Sequence, residues 1–382
     1  MIQDARARQR RHRRIGWALA AAAVAAGALI AGLTGGGGAG RHANGQPSNS
    51  PSSPPAAGST VVPKQPIALA VGPNGELYVA DAGREQILRR LPNGRFVVAA
   101  GTGVAGYTGD GGRATRAELD KPDSLTVAAN GAVYFVQAGR TKTNSGLMNA
   151  VVREVEPNGM ISTVVGQDPN CAVVPASSLS VPASSAELSG ASLTIGSSGS
   201  LDLATTVCPN VLHLGGFLRL TSSGELVQTP ADSIPETSGY CSGGIAGPGF
   251  VAFGCVSGAG RGPRLMILRS NGSIENYPDI GSQPNDMSAS NGVVVAIHNG
   301  AVVRVGANGL ETIATPRQLA KLVSGAALHM GDNGIAIDRH GNVYVDQDLP
   351  VVHRGCADVI VEIDPNRHMR TLWHSTLTRS CY

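Results

Sequence analysis

Residues 66–101 read PIALAVGPNGELYVADAGREQILRRLPNGRFVVAAG, two runs of β-formers around one Pro-Asn-Gly and then two more around another. Short β-branched and aliphatic runs split by Asn-Gly are the signature of a β-hairpin, so this stretch predicts two hairpins in tandem. The second hairpin recurs as VVREVEPNGMISTVVG (151–166), FLRLTSSGELVQTPA (217–231), LMILRSNGSIENYPD (265–279), VVRVGANGLETIATP (302–316) and IVEIDPNRHMRTLWHS (360–375). The first recurs as LTVAANGAVYFVQ (125–137) and GIAIDRHGNVYVDQD (334–348). Asn-Gly and Ser-Gly supply the positive φ that two-residue hairpin turns need.

Six copies of four strands, with no helical stretch between them long enough to cover a sheet face, predict an all-β, six-bladed β-propeller. In that fold four-stranded antiparallel blades bury each other's faces. The 51 glycines and the 4% aromatic share suit small inner strands. A β-sandwich pair does not predict a repeated double hairpin. A solenoid has a tighter period than the 37 to 65 residues between successive second turns.

The units resemble NHL repeats. An apolar strand, an Asn-Gly turn, Val-Tyr-Val-Ala-Asp and an Arg-Ile-like strand recur in that family, and PIALAVGPNGELYVADAGREQILRRL and PDSLTVAANGAVYFVQ follow the pattern. GYTGDGGRATRAELDKPDSLTV (106–127) is similar to the Gly-Asp-Gly-Gly-x-Ala-Thr connection between blades of many bacterial NHL propellers, and ASSAELSGASLTI (183–195) is a degenerate echo of it. The resemblance covers about 66–375. It implies the fold and leaves activity open, because such propellers serve as sensors, scaffolds and enzymes.

GTGVAG (101–106) fits the Gly-x-Gly-x-x-Gly spacing of a dinucleotide-binding turn. That motif works only where it opens a helix inside a strand-helix-strand unit, and YTGDGG follows here instead. The stretch is therefore expected to be a blade connection.

Ahead of the repeats lie three segments of different character. Residues 1–14 carry Arg6, Arg8, Arg10, Arg11, Arg13 and Arg14 against the single acid Asp4. Of the 30 basic and 27 acidic residues in the chain this leaves 24 and 26, so the folded part is slightly acidic and no nucleic-acid partner is expected. Residues 15–33, IGWALAAAAVAAGALIAGL, are uncharged and long enough to cross a bilayer core of roughly 30 Å. They are expected to form a transmembrane signal anchor with a cytoplasmic N-terminus and an extracellular C-terminal part. The alternative is a cleaved signal peptide, whose apolar region is usually shorter. Residues 34–65, rich in Gly, Ser and Pro, are expected to be a disordered tether, and 66–382 the propeller.

Strands alternate in direction. The first-to-second and third-to-fourth turns therefore share one face, and the long insertions share the other. Function on a rigid scaffold concentrates in such loops, and the ligand-binding candidates there are Tyr107, Asp110, Asp123, Arg140, His353 and Arg354. Cys171, Cys208, Cys241, Cys255, Cys356 and Cys381 suit disulfides in an extracellular compartment. Of fifteen possible connectivities, the expected one pairs nearest neighbours. Cys241 and Cys255 flank a Gly-Pro-Gly turn, Cys356 with Cys381 ties down the C-terminus, and Cys171 is left for Cys208.

His298, His329, His340 and His353 are badly placed to share a metal ion, since His340 sits in a tight turn and His353 on the opposite face. Asp81, Asp123, Asp332 and Asp346 could bind calcium or activate water at a channel mouth, but loop capping is the favoured use. Gly109 to Gly112, GDGG, could form an anion nest, although turn geometry explains it equally well. No catalytic or cofactor residue is assigned, and a channel Ca or Zn ion is left open. The expected function is a membrane-anchored propeller that binds an extracellular ligand, cell-wall component or protein partner. The alternative is a secreted lyase- or lactonase-type enzyme with a metal in the channel.

Overall fold

A computed structural model describes residues 60–382 except 143–147, 167–179, 187, 197–198, 208–214, 229–239, 248–249, 257–263, 270–273, 279–286, 299, 307–308, 324–333, 352–354 and 376–382. The basic tail, the apolar run 15–33 and most of the tether lie outside the described residues, as do Cys171, Cys208, Cys381, His329, Asp332, His353 and Arg354. Among the described residues no helix is long and apolar enough to cross a membrane.

The fold is an all-β propeller of four-stranded antiparallel meanders. β1 (Thr60–Val61), β2 (Pro66–Val71), β3 (Leu77–Asp81), β4 (Gln86–Arg90) and β5 (Phe96–Ala100) form one sheet in the order β1-β5-β4-β3-β2. β6 (Pro122–Val127), β7 (Val133–Lys142), β8 (Met148–Val155) and β9 (Ile161–Val165) make the next meander. β10 (Ser180–Pro182) lies outside a third, made of β11 (Leu188–Ile195), β12 (Leu201–Val207), β13 (Gly215–Leu220) and β14 (Glu225–Gln228). Then follow β15 (Tyr240–Gly247), β16 (Phe250–Val256), β17 (Arg264–Arg269) and β18 (Ile274–Pro278); β19 (Met287–Ser290), β20 (Val293–His298), β21 (Ala301–Gly306) and β22 (Gly309–Ala314); and β23 (Ile335–Ile337), β24 (Val343–Val351), β25 (Gly355–Ile363) and β26 (Met369–His374). A one-turn helix, Pro316–Ala320, opens the last connection behind a Thr315/Gln318 capping box.

Hydrogen bonding divides these strands into five sheets, not the six separate ones expected from the repeats. The difference arises at one point: β8 reaches far enough for Ala150 to pair with Leu188 of β11, which fuses two meanders into a nine-stranded sheet. First strands of successive meanders are neighbours, β2 with β6, β6 with β11, β11 with β15, β15 with β19, β19 with β23, and β23 again with β2. Serine hydroxyls tie some of them: Leu193 N donates to Ser124 Oγ (2.9 Å) and Ile337 N to Ser288 Oγ (3.2 Å).

Alternation puts both faces of each sheet into a core. In the first sheet Leu77 and Val79 pack towards Ala336, Tyr344 and Ile360 of the last, while Ala80 and Ile87 pack towards Leu125, Val133 and Phe135 of the second. The last sheet supplies all of its own strands, so no exchanged strand clasps the ring. Chain closure rests on that apolar seam and on β1, which pairs with β5 and starts the folded part ahead of residue 66.

One tight turn, Asn291-Gly292 between β19 and β20, keeps the expected two-residue form with φ +50° and +79°, and others differ from it. In the first, Gly72 N donates to Glu76 O (2.8 Å) and Gly75 N to Gly72 O (2.9 Å), which leaves residues 73–75 in a loop of three. Gly75 has φ +85° while Asn74 does not have positive φ, the form of a type I turn closed by a left-handed glycine. In three such turns asparagine serves as an Asx acceptor rather than as a left-handed residue: Asn93 Oδ1 accepts from Arg95 N, Asn130 Oδ1 from Ala132 N, and Asn158 Oδ1 from Met160 N.

Candidate functional site

The ends of the strands opposite the tight turns carry the elaborate connections. The dinucleotide-like GTGVAG begins the one between the first two sheets. Three of its backbone donors are spent internally: Gly101 N bonds Ala114 O (3.0 Å), Thr102 N bonds Ala117 O (2.8 Å) and Gly106 N bonds Leu119 O (3.0 Å). Only a 3-10 turn, Ala114–Arg116, follows. The stretch does not open the helix that a dinucleotide-binding turn requires. Ala183–Ser185 forms the same turn after the next meander, and Gly166 N bonds Ala183 O (2.9 Å) as Gly101 N bonds Ala114 O.

The GDGG loop is held by an arginine in a core position. Arg153 of β8, opposite Phe135 and 1% exposed, occupies the place that Leu88 holds in the first sheet. Its Nη1 donates to Glu118 O (3.1 Å), and its Nη2 to Thr108 O (3.2 Å) and Asp110 Oδ1 (2.7 Å). Asp110 Oδ2 accepts from Thr163 N (3.0 Å). Tyr107 Oη donates to Asp120 Oδ2 (3.0 Å), and Asp123 Oδ1 accepts from Ser124 N (2.6 Å). Tyr107 and Asp110, two of the expected ligand-binding residues, thus bond within the connection, and Asp123 in β6 bonds its chain neighbour. Arg140 lies on the outer part of β7.

A second set of polar groups lies between the first and last sheets. Counting from their turns, Tyr344 matches Tyr78 and Asp346 matches Ala80, so a carboxyl group fills a slot that is apolar in the first repeat. Asp346, Asp348 and Asp358 share the face of β24 and β25 that carries Tyr344 and Ile360 towards the first sheet. Asp348 and Asp358 are Cα partners, and Asp346 is the partner of Ile360. Asp346 is 3% exposed and its Oδ1 has no hydrogen-bond partner; Asp348 and Asp358 are half-buried.

Burial raises the Asp346 carboxyl well above the usual range, and the Asp358, Asp348 and Asp81 carboxyls raise it further. Burial and then Asp348 push Asp358 up to about 7. Asp81, at the end of β3, is fully buried and accepts from Lys64 N (2.7 Å), Gln65 N (3.0 Å) and Arg84 N (3.1 Å), the capping role expected of it. Neither Asp81 nor Asp346 opens onto a channel mouth; both lie in the seam.

Among the described residues no three carboxyl, imidazole or thiol groups are arranged to hold a metal ion. His340 sits in the turn capped by Asp338 Oδ1, which accepts from His340 N (2.8 Å) and Asn342 N (2.9 Å). Cys356 is buried and disulfide-bonded. Cys241 and Cys255 are Cα partners across β15 and β16. The residues that sequence reasoning missed are Arg153, Asp348 and Asp358. Their one signal was charge at register positions where other repeats carry apolar residues.

The model of the teneurin NHL domain matches residues 102–189, from the GDGG connection to its echo. Human teneurin-1 is 32% identical over 114 residues, covering 26% of this chain and 4% of teneurin-1. Zebrafish (Danio rerio) teneurin-3 gives the same identity and coverage. The chain thus spans about 4% of the length of the curated relatives it matches. Among solved structures, a streptogramin B lyase aligns over 83% of this chain and 85% of its own at 13% identity and TM-score 0.43. The tricorn protease aligns over 83% of this chain and 27% of its own at 8% identity and TM-score 0.49. At these scores neither bears on activity. The chain is a β-propeller, and its residues 102–189 match an NHL domain.

Proposed function

We propose that this chain is a binding module, a six-bladed NHL propeller held on the outer surface of a cell membrane by residues 15–33, with the N-terminus cytoplasmic. The six-blade count rests on the closed succession of first strands from β2 to β23 and back to β2. It treats the nine-stranded sheet as two blades bridged at Ala150 and Leu188. The membrane placement rests on the uncharged run behind six arginines.

The observation that carries the binding reading is the relief of one face. Over the first blade the second-to-third turn is short, residues 82–85. On either side the corresponding hairpins are long: β7 and β8 still pair at Lys142 and Met148, and β24 and β25 at Val351 and Gly355. Two raised hairpins beside a low turn form a cradle for a partner protein, whereas the turns described on the opposite face are all short. Asp81 and Asp346, two of the carboxylates suggested for channel chemistry, lie between blades, so they do not favour the lyase or lactonase alternative.

A photo-crosslinking residue in place of Arg84, in the low turn, tests this in cells making the full chain, with Asn93 in a tight turn as the opposite-face probe. The expected result is one partner, identified by mass, linked from position 84 and absent from position 93. Equal linkage from both positions, or none from position 84, overturns the reading. A C-terminal epitope should be detected on intact cells; detection only after permeabilisation overturns the placement.

A further inference from the structure

The acid cluster of the seam lies at the foot of that cradle. Asp346 is two residues from Asp348 on one strand face, so it sits about 7 Å deeper than the half-buried pair Asp348 and Asp358. Its Oδ1 is buried without a partner, a condition costly enough that native proteins rarely leave it uncompensated. The charged groups that act on Asp346 are all acids, Asp358 and Asp348 beside it and Asp81 across the seam.

Described cations are engaged elsewhere. Arg84 acts on Asp81 from the first blade, while Arg90 of β4 and Arg370 of β26 lie beside Glu362 and Tyr344 at the tight-turn end of the same seam. Ser375 Oγ, on the far side of Asp358, accepts from its backbone N (2.9 Å).

We propose that Asp346, Asp348 and Asp358 receive a basic side chain, the guanidinium or ammonium tip of an arginine or lysine presented by a partner protein docked in the cradle. The proposal rests on the binding reading above and supplies its chemistry. An organic cation fits better than a metal ion for two reasons. Carboxylates on two strands at two depths do not converge on one point at the 2.3–2.6 Å a hard metal ion requires, in keeping with the lack of a metal shell among the described residues. Donors spread over a guanidinium fork reach separate oxygens at about 2.7–2.9 Å. An aliphatic stem can also pass the half-buried pair and leave the charge at the buried floor.

The probe is the peptide acetyl-Gly-Arg-Gly-amide, added to the full chain at pH 8 and followed by calorimetric titration. Its citrulline counterpart and calcium chloride serve as controls. The expected result is saturable binding of the arginine peptide that weakens at least tenfold at pH 5.5, where protons compete for the carboxylates. It should weaken at least tenfold in both Asp346→Asn and Asp348→Asn. Asp348→Asn lies at the half-buried rim and keeps the test valid if the buried variant unfolds. Equal binding of the citrulline peptide, binding of calcium alone, or retention of arginine binding in Asp348→Asn overturns the proposal. Cross-linking from position 84 without arginine binding would remove this inference and leave the binding module standing.

Discussion

Arg153 Nη2 lies 2.7 Å from Asp110 Oδ1, and this pair joins the interior of the second sheet to the loop connecting it to the first. The arginine is 1% exposed and the aspartate side chain 41%. A buried guanidinium needs its acceptors, and here they are the carbonyls of Glu118 and Thr108 with the Asp110 carboxylate. Arg153→Ala leaves those acceptors unpaired around a cavity and is expected to cost about 3–5 kcal/mol. Asp110→Asn removes only the more solvated partner and is expected to cost about 1 kcal/mol. Denaturant midpoints at unchanged slope measure both, and equal losses would show that the clamp does not work through Arg153.

Gly101 has φ +95°, and a Cβ there would meet the Glu85 carbonyl at 2.4 Å. A backbone atom cannot move aside as a flexible side chain does, so Gly101→Ala is expected to destabilise by more than about 2 kcal/mol. Gly75 also has positive φ but open space around its Cβ position, so Gly75→Ala should cost only the backbone strain, about 1 kcal/mol. Thermal unfolding of the two variants side by side tests the order, and a costlier change at Gly75 would contradict it.

Repetition made most of this fold readable, because period-two strands and turn glycines are local properties. The connection at 106–127 and its echo at 183–195 were readable for the same reason. The turn class was readable only in part: Asn-Gly suggests two left-handed residues, which holds at Asn291 and Gly292, whereas Asn93, Asn130 and Asn158 act as acceptors and glycine alone is left-handed beside them. Nor was the fusion of two meanders at Ala150 and Leu188, since it depends on how far β8 extends beside a strand of another repeat. Arg153 reads as an ordinary polar position within an alternating strand, and Asp346 as a loop cap or channel carboxylate. Their burial follows from which face of the sheet meets a neighbour, and only alignment against Leu88 and Ala80 exposes it.

Cys241 and Cys255 are Cα partners across β15 and β16, and directly opposed residues of an antiparallel pair fall within disulfide reach. A bridge between them, the pairing proposed from the sequence, would restrict the unfolded chain by roughly 3 kcal/mol. Replacing either cysteine by serine should therefore lower the midpoint of oxidised protein by that amount. Against the wild type in reductant the same variant should show almost no difference. A loss that persists undiminished in reductant would place the effect in packing rather than in the bridge.

The carboxyl cluster gives the seam a pH dependence of defined sign. Asp358 is pushed up to about 7 in the folded chain, and burial and the neighbouring acids raise Asp346 as well. An unfolded aspartate titrates near about 3.9. Between about pH 4 and pH 7 the native chain therefore holds protons that the unfolded chain has released, and stability must fall as pH rises through that window. Solvent at the half-buried Asp358 keeps the loss below the full linkage value of ~1.4 kcal/mol per pH unit. Asp358→Asn removes the titration and retains a donor for Asp348, so its melting temperature should fall less between pH 5 and pH 8. At pH 8 it should lie above the wild type by on the order of a few degrees. Parallel curves for wild type and variant across that range would mean that Asp358 does not titrate within the seam.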